Sequence, residues 1–184
     1  MPLFFLKNQY DLLSEEIFMR IRFAKVQDMA TINKIYNFEV ESGNALLDNV
    51  PRTGAKAVEW FHIHNQTNRP IFVAVDSRDD EKVLGYCALS TFIPKGAYIT
   101  TTEISVYVQS SMQRKGIGRD LVSTALHYAQ NRTDISNMVA IITTSNIKAL
   151  NLFRGFRFIT VGNIDNVAYK LGKWEGVTYM YKLV

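Results

Sequence analysis

The sequence has few of the residues that build covalent or metal-based frameworks. A single cysteine, Cys87, excludes any disulfide within the chain, and its apolar surroundings predict a buried strand residue. There are only three histidines, and His62 and His64 lie two positions apart on a predicted helix, where their side chains point in different directions. We therefore expect neither a disulfide scaffold nor a bound metal.

Long hydrophobic runs are also missing from the sequence. No stretch approaches the roughly 18 uninterrupted apolar residues of a membrane helix, and the apolar run at residues 3–6 is too short for a secretion signal. The 21 Lys and Arg residues only slightly outnumber the 17 Asp and Glu residues, and they do not form the dense basic stripe that nucleic-acid binding requires. The sequence thus predicts a cytoplasmic protein with no membrane and no nucleic-acid partner.

The composition is that of an ordinary globular protein, with 47% hydrophobic and 21% charged residues. A chain of 184 residues fits one domain. We predict that residues 19–184 form this domain and that residues 1–18 are an N-terminal appendage of uncertain structure.

Hydrophobic periodicity predicts a strand, two helices, three strands, a helix, a strand, a helix and two strands. This order indicates the α/β or α+β class, with helices on both faces of one sheet. The first strand is predicted over residues 20–26, and the second helix over residues 54–66. The last two strands are predicted over residues 156–161 and 177–183.

The most informative segment is a glycine-bearing turn after the strand predicted at residues 100–108. A helix start exposes unpaired backbone N–H groups and the positive end of the helix dipole, so it binds an anion readily. A P-loop would need Lys and then Ser or Thr after Gly118, and a dinucleotide fingerprint would need a third glycine where Leu121 stands. The turn predicts a phosphate-bearing small ligand, with a plain turn carrying solvated charges as the alternative. The segment reads Gln113-Arg114-Lys115-Gly116-Ile117-Gly118-Arg119.

The spacing Gln113-x-x-Gly116-x-Gly118 after a Val-Tyr-Val strand resembles the acetyl-CoA signature of the GNAT (GCN5-related N-acetyltransferase) superfamily. From about residue 21 to residue 183 the chain is similar to the branch that acetylates phosphinothricin and methionine sulfoximine. The resemblance implies a GNAT fold, with a mixed, mostly antiparallel central sheet of six to seven strands. Supporting stretches are Ile35-Tyr36-Asn37, Pro51-Arg52-Thr53, Gly85-Tyr86, Thr101 to Val108, Asn146 with Ala149-Leu150, and Lys170-x-Gly172-x-Trp174.

The resemblance also implies an activity and a set of contacts. The protein would be a homodimeric N-acetyltransferase that moves an acetyl group from acetyl-CoA to the primary amine of a small amino-acid-like substrate. Asn146 would bond the co-substrate near its pantetheine end, although a plain helix cap explains this residue equally well. The implied substrate contacts are Tyr36, Phe92 and Lys95. The implied acetyl-CoA contacts are Val106, Tyr107, Val108, Gln113, Arg114, Lys115, Gly116, Ile117, Gly118, Arg119 and Asn146.

Glu103 matches the general base of the family. An ammonium has no lone pair, so the amine must lose a proton before it attacks a thioester carbonyl. A carboxylate on an apolar strand has its pKa raised by desolvation, which brings it closer to the pKa of an α-amino group. A solvated Glu, or one paired with an Arg, is the alternative. The oxyanion would be met by the backbone N–H of Val106 or of its neighbour.

Three departures from the family pattern leave questions open. Phe153 stands where relatives often have His or Tyr, so the thiolate would leave without a general acid or with a proton from Tyr107. Gly155 is shifted from its usual place in the turn that follows. In the loop before Thr100, where the branch has arginines, only Lys95 is basic. A protein or peptide N-acetyltransferase and a non-catalytic CoA-binding sensor therefore stay as alternative functions.

Overall fold

The computed structural model describes residues 18–64 and 68–184, and its central feature is a seven-stranded sheet. The predicted appendage lies outside the described residues, apart from Phe18. The strands are β1 Met19–Phe23, β2 Ile71–Asp76, β3 Asp79–Thr91, β4 Thr101–Val108, β5 Asn137–Thr143, β6 Ile159–Lys170 and β7 Lys173–Leu183. The helices are α1 Met29–Glu41, α2 Gly54–His64, α3 Ile117–Gln130 and α4 Ile147–Gly155.

The strands lie in the order β1-β2-β3-β4-β5-β7-β6. All neighbouring pairs are antiparallel except β4 and β5, which run parallel. The predicted order of elements and the mostly antiparallel sheet are confirmed. No helix in the two described segments is long and apolar enough to cross a membrane.

Helices cover both faces of the sheet, as predicted. On one face, Leu121 and Val122 of α3 pack in a core that includes Ile104 of β4. On the other face, Ile32 of α1 and Phe61 of α2 pack in a second core with β2 and β3. Because helices cover both faces of the sheet at β2, every residue of this strand is buried. Cys87 of β3 is also fully buried, which confirms its predicted position.

The predicted end of the first strand is wrong. The strand ends at Phe23, and residues from Val26 form a short 3-10 turn instead of continuing to pair. The carboxylate of Asp28 accepts a hydrogen bond from the N–H of Lys25 at 2.6 Å, and the guanidinium of Arg22 holds the same carboxylate at 2.6 Å. This buried ion pair turns the chain into α1, an effect that alternation of side chains does not reveal.

The predicted bounds of the last two strands are wrong. β6 begins at Ile159 and not at residue 156, and both strands are longer than predicted, with β6 ending at Lys170 and β7 beginning at Lys173. Almost every residue of β6 is exposed. A strand that buries neither face needs no alternation of apolar and polar residues, so the sequence carries no periodic signal over its length. Backbone pairing with β7 extends the hairpin, and near its end the rings of Tyr169 and Trp174 pack across the two strands with centroids 5.4 Å apart. Its pairing with β7 shifts register twice, and Asn166 and Leu171 adopt positive φ angles of 52° and 49°.

The hairpin returns to the loop that follows α1. The ammonium of Lys170 is buried and donates hydrogen bonds to the carbonyl oxygens of Glu39 at 2.6 Å and Leu46 at 2.8 Å. A cation at the C-terminal end of α1 also complements the helix dipole. Lys170 therefore fixes the start of the α1–α2 loop, which borders both cavities described below.

Candidate active site

A gap opens between the two parallel strands at the centre of the sheet. In the described part of the chain, β4 pairs with β5 only at Thr101, Thr102 and Glu103. Beyond Glu103 the strand continues to Val108 while pairing only with β3. Because alternate residues of a strand direct their backbone groups to opposite neighbours, about half of the N–H and C=O groups after Glu103 face this gap. These groups can bind an extended ligand as a further strand would.

The glycine turn borders the same gap. The N–H of Gln109 donates to the carbonyl of Leu84, so β4 ends at a fixed point on β3. Gly116 has a φ of 82°, a left-handed conformation that glycine adopts without strain, and α3 begins directly after it. The first helical hydrogen bond runs from the N–H of Asp120 to the carbonyl of Gly116. The three preceding N–H groups therefore have no helical partner and are available to an anion.

A cavity of 320 Å³, which we call the cleft cavity, occupies this gap. It is lined by every predicted acetyl-CoA residue except Lys115, whose ammonium lies 4.0 Å from the sulfur of Met112. A Cβ on Gly118 would lie at ordinary contact distances of 3.6 Å from Val108 and 3.7 Å from Leu152. Packing therefore does not demand glycine here, whereas close approach of a phosphate would. Further lining residues, not predicted from the sequence, are Glu39, Ala45, Met112, Lys148, Ala149 and Leu152.

Helix α4 forms one wall of the cleft cavity. The Asn146 side-chain oxygen accepts a hydrogen bond from the N–H of Ala149 at 3.1 Å, so this residue caps the helix and also lines the cavity. Phe153 is buried in the core and packs edge-on against Phe158, with ring centroids 5.0 Å apart. Phe153 therefore does not face the cavity, and α4 presents Ala149 and Leu152 there.

Glu103 is partly buried at the point where the pairing of β4 with β5 ends. Among the described residues, no hydrogen bond or ion pair reaches its carboxylate, and burial raises the pKa of this group above its usual value. The alternative of an ion pair with an Arg is therefore not realised within those residues. Across the strands, Glu103 is level with Ser90 of β3.

Tyr107 links the cleft cavity to the opposite face of the sheet. It lines the cavity and packs against the core formed by α1 and α2. Its ring lies 6.4 Å from that of Tyr36 and 5.2 Å from that of Tyr86. Burial, with smaller contributions led by the nearby Glu103, raises the pKa of Tyr107 far above its ordinary value. The phenol is therefore protonated at neutral pH.

A second cavity, of 520 Å³, lies between α1, the α1–α2 loop and α2, and we call it the aromatic cavity. Tyr36, a predicted substrate contact, lines it. Phe92 and Lys95, the other predicted contacts, do not: Phe92 packs near Tyr98 at 6.3 Å, and Lys95 is exposed. The lining residues are Tyr36, Asp48, Asn49, Val50, Pro51, Arg52, Lys56, Glu59, Trp60 and Ile63.

Arg52 and Trp60 were not predicted as site residues. The guanidinium of Arg52 lies 3.7 Å from the ring centroid of Tyr36 and 4.4 Å from that of Trp60. The sequence held one signal, because Pro51-Arg52-Thr53 is among the stretches that resemble the family. It contained no information on which side chains Arg52 would meet.

His64 supports this aromatic wall from behind. Its Nδ1 lies 2.8 Å from the carbonyl oxygen of Trp60, which can only accept, so Nδ1 carries the proton. Nε2 then accepts from the hydroxyl of Ser90 at 2.7 Å. Burial lowers the pKa of His64 to about 4, so the ring is neutral at physiological pH. The exposed His62 points elsewhere, as expected, and no group of three His, Cys, Asp or Glu side chains in the described segments is arranged to hold a metal ion.

Comparisons with known proteins agree with this architecture. The L-methionine sulfoximine/L-methionine sulfone acetyltransferase of Pseudomonas aeruginosa is 32% identical over 160 residues, which cover 87% of this chain and 91% of that protein. The L-amino acid N-acyltransferase MnaT of Escherichia coli is 30% identical, with 88% and 92% covered.

Solved structures show the same similarity. The phosphinothricin acetyltransferase of Sinorhizobium meliloti, in complex with AcCoA, has a TM-score of 0.84 and 26% identity, with 91% of this chain and 89% of that chain covered. The sequence also matches the family described as Acetyltransferase (GNAT) domain over residues 21–176. The resemblance inferred from the glycine turn is confirmed, and the chain belongs to the GNAT acetyltransferase family.

Proposed function

We propose that this protein transfers the acetyl group of acetyl-CoA to the amine of a small amino-acid-like substrate. The observation that carries the proposal is the course of β4. Glu103, a carboxylate with a raised pKa, lies where the pairing of β4 with β5 ends, and Val106 to Val108 of the same strand line the cleft cavity. A base and an acyl donor bound along that strand would thus be held next to each other.

The cleft cavity fits the parts of acetyl-CoA. The free N–H groups at the start of α3, with the charges of Arg114 and Arg119, suit a pyrophosphate. The unpaired backbone of β4 near Val106 and Val108 suits the amide groups of a pantetheine arm. When bound, acetyl-CoA supplies the thioester carbonyl that the amine attacks.

The residues of the chain then have separate roles in proton transfer. Glu103 accepts a proton from the substrate ammonium, directly or through a water molecule, and leaves the amine with its lone pair. A backbone N–H of the unpaired part of β4, at or next to Val106, stabilises negative charge on the carbonyl oxygen. Tyr107 lines the cavity and would donate a hydrogen bond to the departing thiolate; because burial raises the pKa of this phenol, it would stabilise the anion and keep its own proton.

The relatives support an amino-acid-like substrate, since their names specify methionine sulfoximine, methionine sulfone and L-amino acids. The size of the aromatic cavity and its aromatic and charged lining fit a ligand of that kind. Free thiol release from acetyl-CoA should be measured with methionine sulfone, methionine sulfoximine, phosphinothricin and a set of short peptides. We expect turnover with at least one free amino acid. Turnover with peptides alone would favour a peptide acetyltransferase, and acetyl-CoA binding without any turnover would favour a sensor.

We further propose that two chains pair through the end of the sheet that carries β6. This edge strand exposes Ile159, Val161 and Ile164, and Trp174 of β7 is 61% exposed. An edge strand with exposed apolar side chains readily pairs with another chain. Light scattering coupled to size exclusion should give twice the chain mass, and Val161→Lys should shift the protein towards the monomer. A monomeric wild-type protein would refute the pairing.

A further inference from the structure

Arg52 is held in place by its backbone. Its N–H donates to the side-chain oxygen of Asn37 at 2.7 Å, and its carbonyl accepts from the side-chain amides of Asn33 at 3.1 Å and Asn37 at 3.0 Å. Three hydrogen bonds between α1 and the backbone of this one loop residue leave its Cα little freedom. The side chain of Arg52 therefore starts from a fixed point beside the aromatic cavity.

The guanidinium of Arg52 has a buried nitrogen without a partner. Its planar group lies close to both the Tyr36 ring and the Trp60 ring, which suits a cation. Within the described residues, Nη1 is buried and no acceptor lies within hydrogen-bonding distance, and no carboxylate lies within ion-pair distance of the group. The described part of the chain therefore provides this cation with no ion-pair partner and leaves one of its donors without an acceptor, at a cost of about 1–3 kcal/mol.

Other arginines with little exposure are used differently. The guanidinium of Arg22 is neutralised by Asp28 and Asp80. That of Arg69 donates to backbone carbonyls, including those of Ile99 and Thr101. Both have internal acceptors that explain their position in the fold. Arg52 differs because a fixed cation points to a cavity while one of its donors is left unpaired.

We infer that Arg52 binds the carboxylate of a free α-amino acid substrate, and this inference rests on the proposed acetyl transfer. A guanidinium matches a carboxylate through two parallel hydrogen bonds, and the flanking rings would pack against the rest of the substrate. Amine and carboxylate of an α-amino acid share one carbon, so their partners must be close together. Glu103 and Tyr107 lie on the same face of β4, because alternate residues of a strand share a face. The ring of Tyr107 is 6.4 Å from that of Tyr36, which Arg52 contacts, so the carboxylate and the guanidinium lie on the same side of the sheet. A peptide N-terminus lacks this carboxylate, so Arg52 would select free amino acids.

The test compares methionine sulfone with its α-amide, which keeps the amine and loses the negative charge. In the wild-type protein we expect kcat/KM to favour the acid by about 30-fold or more, because hydrogen bonds to a charged group are strong. Arg52→Gln should lower kcat/KM for the acid by about 100-fold and leave the amide within about threefold. Arg52→Lys should recover part of the preference, since it keeps the charge without the planar fork.

The controls separate this inference from the proposed function. Arg20→Gln removes one exposed positive charge from β1 and should leave kcat/KM unchanged for both the acid and the amide. Acetyl-CoA affinity of Arg52→Gln, measured by calorimetry, should equal that of the wild type. Equal losses for acid and amide, or a wild-type protein that does not distinguish them, would overturn the role of Arg52 while acetyl transfer stands. Turnover of neither compound in the wild-type protein, despite acetyl-CoA binding, would instead count against the proposed function.

A direct binding measurement covers the case in which Arg52→Gln does not fold. Trp60 lies beside Arg52, and the chain has only one other tryptophan, Trp174. In a Trp174→Phe protein, methionine sulfone should change the Trp60 emission in a saturable way, and its amide should not at equal concentration. The same response to both compounds, or to neither, contradicts carboxylate recognition at Arg52.

Discussion

The cleft cavity is bordered by unpaired backbone groups of β4 and of the start of α3, whereas the aromatic cavity is lined by charged and aromatic side chains. The cleft cavity offers helix N–H groups, a glycine in the left-handed conformation and a strand edge without a partner. The aromatic cavity offers Arg52, Tyr36 and Trp60. We call the first the backbone wall and the second the side-chain wall. Binding of acetyl-CoA at the backbone wall should depend on the conformation of the chain. The choice of amine at the side-chain wall should depend on the identity of individual residues.

Removing the proposed base, Glu103, should have the largest effect, although this residue lines neither cavity. Glu103→Gln should lower kcat by about 10²–10⁴-fold, the usual contribution of general base catalysis, while the Kd for acetyl-CoA stays unchanged. Steady-state kinetics and calorimetry measure the two quantities. Unchanged kcat would remove Glu103 from the mechanism, and a large change in Kd would show that Glu103 also affects the binding of acetyl-CoA.

The same variant has a pH signature. Because burial raises the pKa of Glu103 above the ordinary value of 4.5, the wild-type kcat/KM should fall on acidification through a pKa above 4.5, and Glu103→Gln should lack this limb. Acidification affects the stability of the folded protein in the opposite direction, because protonation of Glu103 lowers activity and favours folding. The folded protein holds this proton to higher pH than the unfolded chain, so ionisation costs stability at neutral pH. Glu103→Gln should therefore melt higher at pH 7, and the difference should shrink below pH 4.5, as thermal melts can show.

His64, which packs behind Trp60, should make the stability of the protein depend on pH. His64 has a folded pKa of about 4 against an ordinary 6.5, so only the unfolded chain binds a proton between these values. Stability from this group is complete above pH 6.5 and is lost as pH falls towards 4, by about 3 kcal/mol in total. Urea unfolding at several pH values should show this decline in the wild type and a smaller one in His64→Gln. The exposed His127 gives the matched control, His127→Gln, which should behave as the wild type. Parallel curves for wild type and His64→Gln would contradict this account.

A single substitution at Gly116 should disturb the backbone wall. The φ of 82° there costs a residue with a Cβ about 1–2 kcal/mol, although no atom within 4 Å would touch that Cβ. Gly116→Ala should weaken acetyl-CoA binding by about tenfold, measured by calorimetry, and Gly116→Asn should weaken it less because Asn tolerates this conformation better. Gly54→Ala, at the start of α2, should leave the affinity unchanged. Equal affinities of Gly116→Ala and wild type would show that the turn does not need this conformation.

A change outside both walls should alter stability alone. Two residues after the end of α4, Arg157 has a φ of 62°. The N–H groups of Arg157 and Phe158 donate to the carbonyls of Arg154 and Phe153 at 2.8 and 3.1 Å. Glycine normally holds this left-handed position, whereas here Gly155 lies inside the helix. Arg157→Gly should raise the free energy of unfolding by about 1 kcal/mol in urea titrations and leave kcat and KM unchanged. A destabilised variant would mean that the Arg157 side chain contributes more than its backbone costs.

Local patterns in the sequence predicted the backbone wall and the order of the elements. The glycine turn, the helix start and the alternation in β4 involve residues that are neighbours in the chain. The cleft cavity is lined by all the acetyl-CoA contacts that the resemblance implied except Lys115. The resemblance likewise led to Glu103 on the face opposite Ile104, and the alternation of β4 agrees with that placement. The roles of these residues stay predictions until the variants are measured.

The tertiary structure decided what depends on contacts between distant residues. Arg52 meets Tyr36 and Trp60 because two asparagines of α1 hold its backbone, and Phe92 and Lys95 lie outside the aromatic cavity although the resemblance placed them at the substrate. The β6–β7 hairpin extends through backbone pairing that side-chain periodicity does not encode. Turns, helix starts and strand alternation depend on consecutive residues and can be predicted from them. The contacts of a side chain such as Arg52 involve residues distant in the sequence, so they are fixed only when the chain folds.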